Sequence, residues 1–155
     1  MISPSLAVFA INLLQLTLAS PPVVYSNAGI YHGRHLPEFN QDLFLGIKYA
    51  PKPIRFAPSI LDEDSPQQEY NATVYGTDCH GYGTDTDLLV QQGWTTLGED
   101  CLHLNIVKPR TNQTNLPVLV WIYGGGWQQG ATSDPRYTNA YLLSPFNERA
   151  DECQI

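Results

Sequence analysis

Apolar residues fall along this chain in four patterns, and each predicts a different element. From Leu6 to Leu18 the chain is mostly Leu, Ala, Val, Phe and Ile, broken by Asn12, Gln15 and Thr17. That run is shorter than the roughly 20 apolar residues a membrane-spanning helix needs. Short apolar runs divided by Gly, Pro and Asn follow: Val23-Val24-Tyr25, Gly29-Ile30-Tyr31 and Asp42-Leu43-Phe44-Leu45. They read as strands or bends of a small antiparallel sheet. Leu102 to Val107 alternates, with Leu102, Leu104 and Ile106 on one side, the period of a half-buried strand. Val118 to Tyr123 is continuously apolar, which predicts a strand buried on both faces in a largely parallel sheet. It leads directly into Gly124-Gly125-Gly126.

The segments between these runs are polar. Pro51, Pro53 and Pro58 exclude a helix around them. Ser59 to Tyr70 is acidic and reads as a surface loop. Cys79 to Trp94, rich in Gly, Thr and Asp, reads as an irregular excursion. Lys108 to Leu116 is a polar turn region, Asn139 to Leu143 reads as the start of a helix, and Ser144 to Ile155 shows no periodicity. No internal repeat occurs.

Composition narrows the class. Hydrophobic residues make up 43% and charged residues 15% of the 155, the balance of a globular chain. The net charge is −7, with no basic cluster. That speaks against nucleic acid or an anionic membrane surface as a partner, and the acidity reads as solubility. Cleavage after Ala19 would leave Thr17 and Ala19 at the positions a signal peptidase reads, so residues 1–19 are expected to be a signal peptide. The expected location is extracellular, without a stable membrane anchor. Asn71-Ala72-Thr73 and Asn112-Gln113-Thr114 are N-glycosylation acceptors, which agrees with secretion. Of Cys79, Cys101 and Cys153, two can pair and one is left over. No Cys-x-x-Cys occurs, and His32, His35, His80 and His103 form no helix-spaced pair with a carboxylate. No metal and no cofactor is therefore expected.

The triple glycine carries the chemistry. Without Cβ atoms the backbone can take positive φ and bring its N–H groups close to a ligand. A phosphate loop would need Gly-Lys-Ser/Thr where Gly130 is followed by Ala131-Thr132, and the lysine is missing. A dinucleotide loop starting at Gly124 and Gly126 would need a third glycine where Gln129 stands. Two readings are left: a tight bend with a purely structural role, or an oxyanion hole. In ester hydrolysis the carbonyl oxygen becomes negative in the tetrahedral intermediate, and fixed N–H donors stabilise it by a few kcal/mol each.

Val120-Trp121-Ile122-Tyr123-Gly124-Gly125-Gly126-Trp127 resembles the oxyanion strand and loop of the type-B carboxylesterase/lipase family, which includes cholinesterases and fungal lipases. Glu99-Asp100-Cys101-Leu102-His103-Leu104-Asn105-Ile106 is similar to that family's second signature, E-D-C-L-x-L-N. Phe44-Leu45-Gly46-Ile47-Lys48-Tyr49-Ala50, with Arg55-Phe56, is similar to its early F-x-G-I-P-Y-A segment and the R-F that follows. The resemblance runs from about Val23 to Leu143. It implies an α/β-hydrolase fold, here the N-terminal portion only: a small antiparallel sheet and the first strands of the main sheet. It also implies that Gly125 and Gly126 are oxyanion donors, that Cys101 pairs with Cys79, and that Arg55 and Glu99 form a structural ion pair. A loop of about 20 residues closed by such a bridge stabilises a fold by roughly 3 kcal/mol. Trp94 lies where cholinesterases place an aromatic choline-binding residue. Its spacing to Cys101 differs, so a packing role is expected of it.

Several residues depart from the family pattern. Lys48 replaces the usual proline, and the stretch between Ala50 and Arg55 is short. None of Ser26, Ser59, Ser65, Ser133 and Ser144 lies in Gly-x-Ser-x-Gly. In this fold the serine, acid and histidine follow the glycine loop, so all three are expected beyond Ile155. The expected organisation is a signal peptide at 1–19, the N-terminal part of a carboxylesterase domain at 20–144, and a divergent tail at 145–155. The expected function is that of a secreted carboxylic-ester hydrolase fragment that holds the oxyanion loop but cannot turn over ester by itself. A small-molecule ester or lipid is the expected substrate of the full-length relative. The alternatives are a non-catalytic secreted interaction module and a truncated product without a function of its own.

Overall fold

Residues 20–61, 65–137 and Leu143 are described by the computed structural model. The expected signal peptide, Cys153 and the tail from residue 145 lie outside them. So does the expected helix start at 139–143, apart from Leu143, which is helical.

The short apolar runs form strands where the sequence places them. Val23–Ser26 (β1) and Gly29–His32 (β2) make an antiparallel hairpin closed at Ser26 and Gly29. Arg34–Leu36 (β3) and Gln41–Lys48 (β4) pair antiparallel across a 3-10 turn at Pro37–Phe39. Asn40 closes that turn in the left-handed region, at φ 46°, a conformation that asparagine tolerates better than most residues.

Two corrections concern the next segments. Ser59 to Tyr70 is not loop throughout: Glu69–Asn71 is a strand (β5) paired parallel to β2, so the first sheet is mixed rather than purely antiparallel. Tyr31 and Tyr70, opposite each other in this pair, stack with ring centroids 5.0 Å apart. Cys79 to Trp94 is not wholly irregular, because Thr84–Gln91 forms a helix (α1). Thr and Asp are poor helix formers, which hides it in the sequence. Its Asp85 and Asp87 suit the positive end of the helix dipole, Thr86 and Leu89 are buried, and Gly93 stops it at φ 71°.

His103–Pro109 (β6) pairs antiparallel with β4 to complete the second sheet, in the order β3-β4-β6. The alternation is real, but the apolar side is not the buried one. Leu104 and Ile106 are 37% and 47% exposed, while His103, Asn105 and Val107 are more covered. The register explains the reversal. Between Phe44↔Ile106 and Ile47↔Leu104, β4 uses three steps to β6's two, a bulge. Gly46 sits in the bulge at φ 67°, and its N–H donates to the Asn105 side chain at 2.8 Å. Asn105 is therefore held inward, and its alternating neighbours must point out.

The core centres on β4, where Leu43, Phe44 and Leu45 are buried, with Ala72, Leu89 and Ala131 elsewhere. Ala72 ties the two sheets together: its N–H donates to the His32 carbonyl, and its carbonyl accepts from Leu45 N–H, both at 2.8 Å. Asp42 is also buried. It lies 3.1 Å from His35 Nδ1, 3.8 Å from Lys108 Nζ and 3.7 Å from Arg110 Nη1.

The largest correction concerns Val118 to Tyr123. The run joins no strand ladder among the described residues. Val118 to Ile122 are 56–87% exposed instead of buried on both faces. An apolar run becomes a central strand only where neighbouring backbone and covering side chains are supplied. The described residues supply no neighbouring strand, and the Tyr137 ring, 6.0 Å from that of Trp121, covers little of the run.

Candidate active site

The glycine run ends in a turn that its own sequence closes. Gly125 (φ 145°), Gly126 (φ 63°) and Trp127 (φ 58°) all take positive φ, where side chains other than glycine's are strained. The Gly125 carbonyl accepts from the N–H groups of Gln128 and Gln129 at 3.1 and 3.3 Å. A Cβ on Gly125 would sit 1.8 Å from the Gln129 carbonyl oxygen, so only glycine fits there. The N–H groups of Gly125 and Gly126 donate to no acceptor among the described residues, and both residues are exposed. Trp127 beside them is fully exposed. An uncommitted donor pair on a glycine-shaped turn is the arrangement that can receive a developing oxyanion.

Two neighbours brace the turn. The Tyr82 N–H, from the segment leading into α1, donates to the Gln128 carbonyl at 2.6 Å. Gly130 packs so closely under the Tyr123 ring that a Cβ there would lie 2.5 Å from it. Burial pushes the Tyr123 phenol up from its ordinary value, and the nearby Asp78 carboxylate adds to the effect.

Asp78 is a hub that sequence reasoning missed. Its buried carboxylate accepts from the Thr95 and Ser133 hydroxyls, from the Thr132 N–H at 3.1 Å and from the Thr132 hydroxyl at 3.3 Å. Its backbone pairs with Thr96 and Gly98. The partners lie far off in sequence, so no local motif marks them. The one available sign was its place next to Cys79, a residue expected to pair in a bridge; a carboxylate that becomes buried beside such a link needs donors.

Cys79 and Cys101 form a disulfide with Cα atoms 5.0 Å apart, as the family resemblance implied. Arg55 Nε donates to Glu99 Oε1 on an exposed surface. Lys48, the departure from the expected proline, reaches Asp100 Oδ2 at 2.6 Å, and that bond holds the Asp100 carboxyl below the usual range. The residues of the early segment thus meet those of the second signature pairwise: Gly46 with Asn105, Lys48 with Asp100, Arg55 with Glu99. A hollow of about 230 Å³ lies beside them, lined by Pro53, Arg55, His80, Gly98, Glu99 and Cys101. It includes no residue of the glycine turn.

Asp134, buried just past Ser133, is gripped by Arg136 through both carboxylate oxygens, and Arg136 also reaches Asp85 of α1 at 2.9 Å. The Arg136 hydrogen bonds hold the Asp134 carboxyl below the usual range. Asn71 and Asn112 are both exposed, and Asn71 Oδ1 accepts from the Thr73 N–H and hydroxyl of its own sequon. Trp94 is half exposed. Among the described residues no His, Cys, Asp and Glu group could hold a metal ion, and no helix is long and apolar enough to cross a membrane.

Comparison with known proteins shows what the chain as a whole is similar to. A sequence model of the carboxylesterase family matches residues 20–147. Gut esterase 1 of Caenorhabditis briggsae is 38% identical over 120 residues, which cover 75% of this chain and 20% of that protein. The para-nitrobenzyl esterase of Bacillus subtilis is 39% identical over 108 residues, 64% of this chain and 20% of that protein. The solved structure of a thermophilic PNB esterase superimposes with a TM-score of 0.69 at 32% identity, over 80% of this chain and 26% of that one. The chain thus spans about a fifth to a quarter of the length of the proteins it matches.

Proposed function

This chain belongs to the carboxylesterase family and carries a portion of the α/β-hydrolase fold, and we propose that it supplies the oxyanion loop of a secreted carboxylic-ester hydrolase. The observation that carries this reading is the pair of N–H groups at Gly125 and Gly126 that donate to no acceptor among the described residues. When a nucleophile adds to the ester carbon, the carbonyl π electrons move onto oxygen. Two N–H donors set before the reaction stabilise that charge with little reorganisation, and one of them is worth roughly 3 kcal/mol. On this reading Gly125 and Gly126 hold the oxygen, Cys79–Cys101 and Arg55–Glu99 support the surrounding scaffold, and Asn71 and Asn112 carry glycans. The substrate is a small-molecule ester or lipid, as expected of an esterase. No Gly-x-Ser-x-Gly occurs among these 155 residues, so on this reading the nucleophilic serine, and with it the acid and the histidine that follow it in chain order, are supplied by other residues.

The test places residues 20–137 into the Bacillus subtilis para-nitrobenzyl esterase, in place of the matching segment, and follows hydrolysis of p-nitrophenyl acetate. The chimera is expected to turn over, and Gly126→Pro, which deletes an N–H, to lower kcat by about 10²–10³. Gly126→Ala keeps the N–H and meets no steric obstacle, so only its positive φ is strained and most of kcat should survive. Full activity in the proline variant, or equal losses in both, would remove the donor role. The chain by itself is expected to hydrolyse nothing. Turnover by purified full chain would show instead that a nucleophile lies within it.

A further inference from the structure

We propose that Asp78 is a positioning residue for the glycine turn: its buried carboxylate fastens the exit of the turn, at Thr132 and Ser133, to the Cys79–Cys101 loop. Its consequence for catalysis rests on the oxyanion reading above; the fastening itself does not.

Three stretches of chain meet at this one side chain. Asp78 stands beside the disulfide and is bonded through its backbone to Thr96 and Gly98, at 2.9 and 3.0 Å. One carboxylate oxygen takes the Thr95 and Ser133 hydroxyls, and the other takes the Thr132 N–H and hydroxyl. All four donors are neutral, and Asp78 is 5% exposed. Water therefore has little access to replace a lost bond, and a buried donor left without an acceptor is costly. Thr132 and Ser133 are only two and three residues past Gly130, which is wedged against the Tyr123 ring and the Gly124 carbonyl. Buried Ala131 leaves no slack between them. A shift at 132–133 must pass to Gly130 and from there to Gly124, at the mouth of the turn. The Tyr82–Gln128 bond is a second tie from the same disulfide loop, so Asp78 and Tyr82 grip the turn on either side of Gly130.

An isosteric amide would keep most of this. In Asp78→Asn the side-chain oxygen can still accept from Thr132, while the new NH₂ donates to the Thr95 and Ser133 hydroxyls, which can reverse their roles. Asp78→Ala strands the Thr132 and Ser133 donors and leaves the Thr95 hydroxyl only the Thr96 carbonyl, at 3.3 Å.

The experiment is amide hydrogen exchange by NMR on the full oxidised chain. The Gln128, Gln129 and Thr132 amides report the turn, and the Leu45 and Ala72 amides report the sheets. In Asp78→Ala the turn amides should exchange about tenfold faster or more, with the sheet amides within about twofold. Asp78→Asn should return the turn to within about threefold of the natural chain. Should Asp78→Ala fail to fold, Ser133→Ala decides: it removes a single donor and should speed the turn amides by a few-fold alone. Turn amides that move no more than sheet amides, in whichever of these variants folds, would overturn the proposal. In the esterase chimera, Asp78→Ala should lower kcat with little change in KM, and Asp78→Asn should restore it. A turn that loosens without loss of kcat keeps the fastening and removes the oxyanion reading; a turn that does not loosen removes the fastening, whatever the kinetics.

Discussion

β4 and the run from Val118 to Ile122 each hold a continuous apolar stretch, in opposite environments. Leu43, Phe44 and Leu45 are 6%, 3% and 1% exposed, with β3 on one side and β6 on the other. Val118 to Ile122 are 56–87% exposed and join no strand among the described residues; Trp121 alone has a ring neighbour, Tyr137, with centroids 6.0 Å apart. Intrinsic β preference does not separate the two. What separates them is whether another strand accepts and donates along the edge and whether another layer covers the face. β4 is polar where it can be, at Gln41 and Asp42, and still buried, because His35, Lys108 and Arg110 gather around Asp42. In this molecule burial follows partners more closely than it follows hydropathy.

The sharpest way to break that comparison is to truncate one residue in each region. Leu45→Ala should destabilise the chain by about 2–5 kcal/mol, as for other fully buried leucines. Val120→Ala should stay within about 0.5 kcal/mol, as for exposed positions. Urea unfolding of both variants reads the difference, and a Val120→Ala cost near that of Leu45→Ala would show that the run is packed in solution. Next in size is the disulfide. Replacing Cys79 and Cys101 together by serine should cost roughly 3 kcal/mol, read as a drop in urea midpoint with the glycine turn loosened before β4 and β6.

How much of this was legible in the sequence depends on how local the cause is. The strands at Val23, Gly29 and Asp42 were readable because alternating apolar residues and turn formers sit next to each other. The glycine turn was readable because three glycines after an apolar run have few other uses. The helix at Thr84–Gln91 was not, since Leu89 burial and the Arg136–Asp85 pair hold it, and Arg136 lies 51 residues away. The buried side of β6 was misread because a bulge fixed by Gly46 and Asn105 sets it, and both ends of that bond must be known. Apart from its place beside Cys79, Asp78 was hidden for the same reason: its donors come from Thr95, Thr132 and Ser133.

Smaller effects concern carboxylates held by cations, one buried and one at the surface. Asp134 and Asp100 are both held below the usual carboxyl range by cationic partners. The folded chain therefore binds fewer protons than the unfolded one as pH falls toward their ordinary values near about 4. The stability they contribute is fully present above about pH 5 and is lost on acidification through their lowered folded values. Urea midpoints taken from pH 6 to pH 2.5 should show this fall, and Asp134→Asn should flatten it. The smallest effect belongs to Lys48. Its bond to Asp100 joins two side chains about 40% exposed, so Lys48→Met should cost under about 1 kcal/mol, and 1 M salt should erase most of the difference.

The Gly46–Asn105 bond spans 59 residues of sequence, and that distance has a consequence in time. A ribosome adding about 5–20 residues per second needs about 3–12 s to make the chain between them. Throughout that interval Leu43, Phe44 and Leu45 are already synthesised while the strand that will cover one edge of β4 is not. The β3–β4 pair must wait with its other edge open while β5, the disulfide loop and α1 are laid down. For those seconds the emerging chain holds the strand destined for deepest burial as an unfinished edge, which makes β4 the stretch on which a holding chaperone would act first.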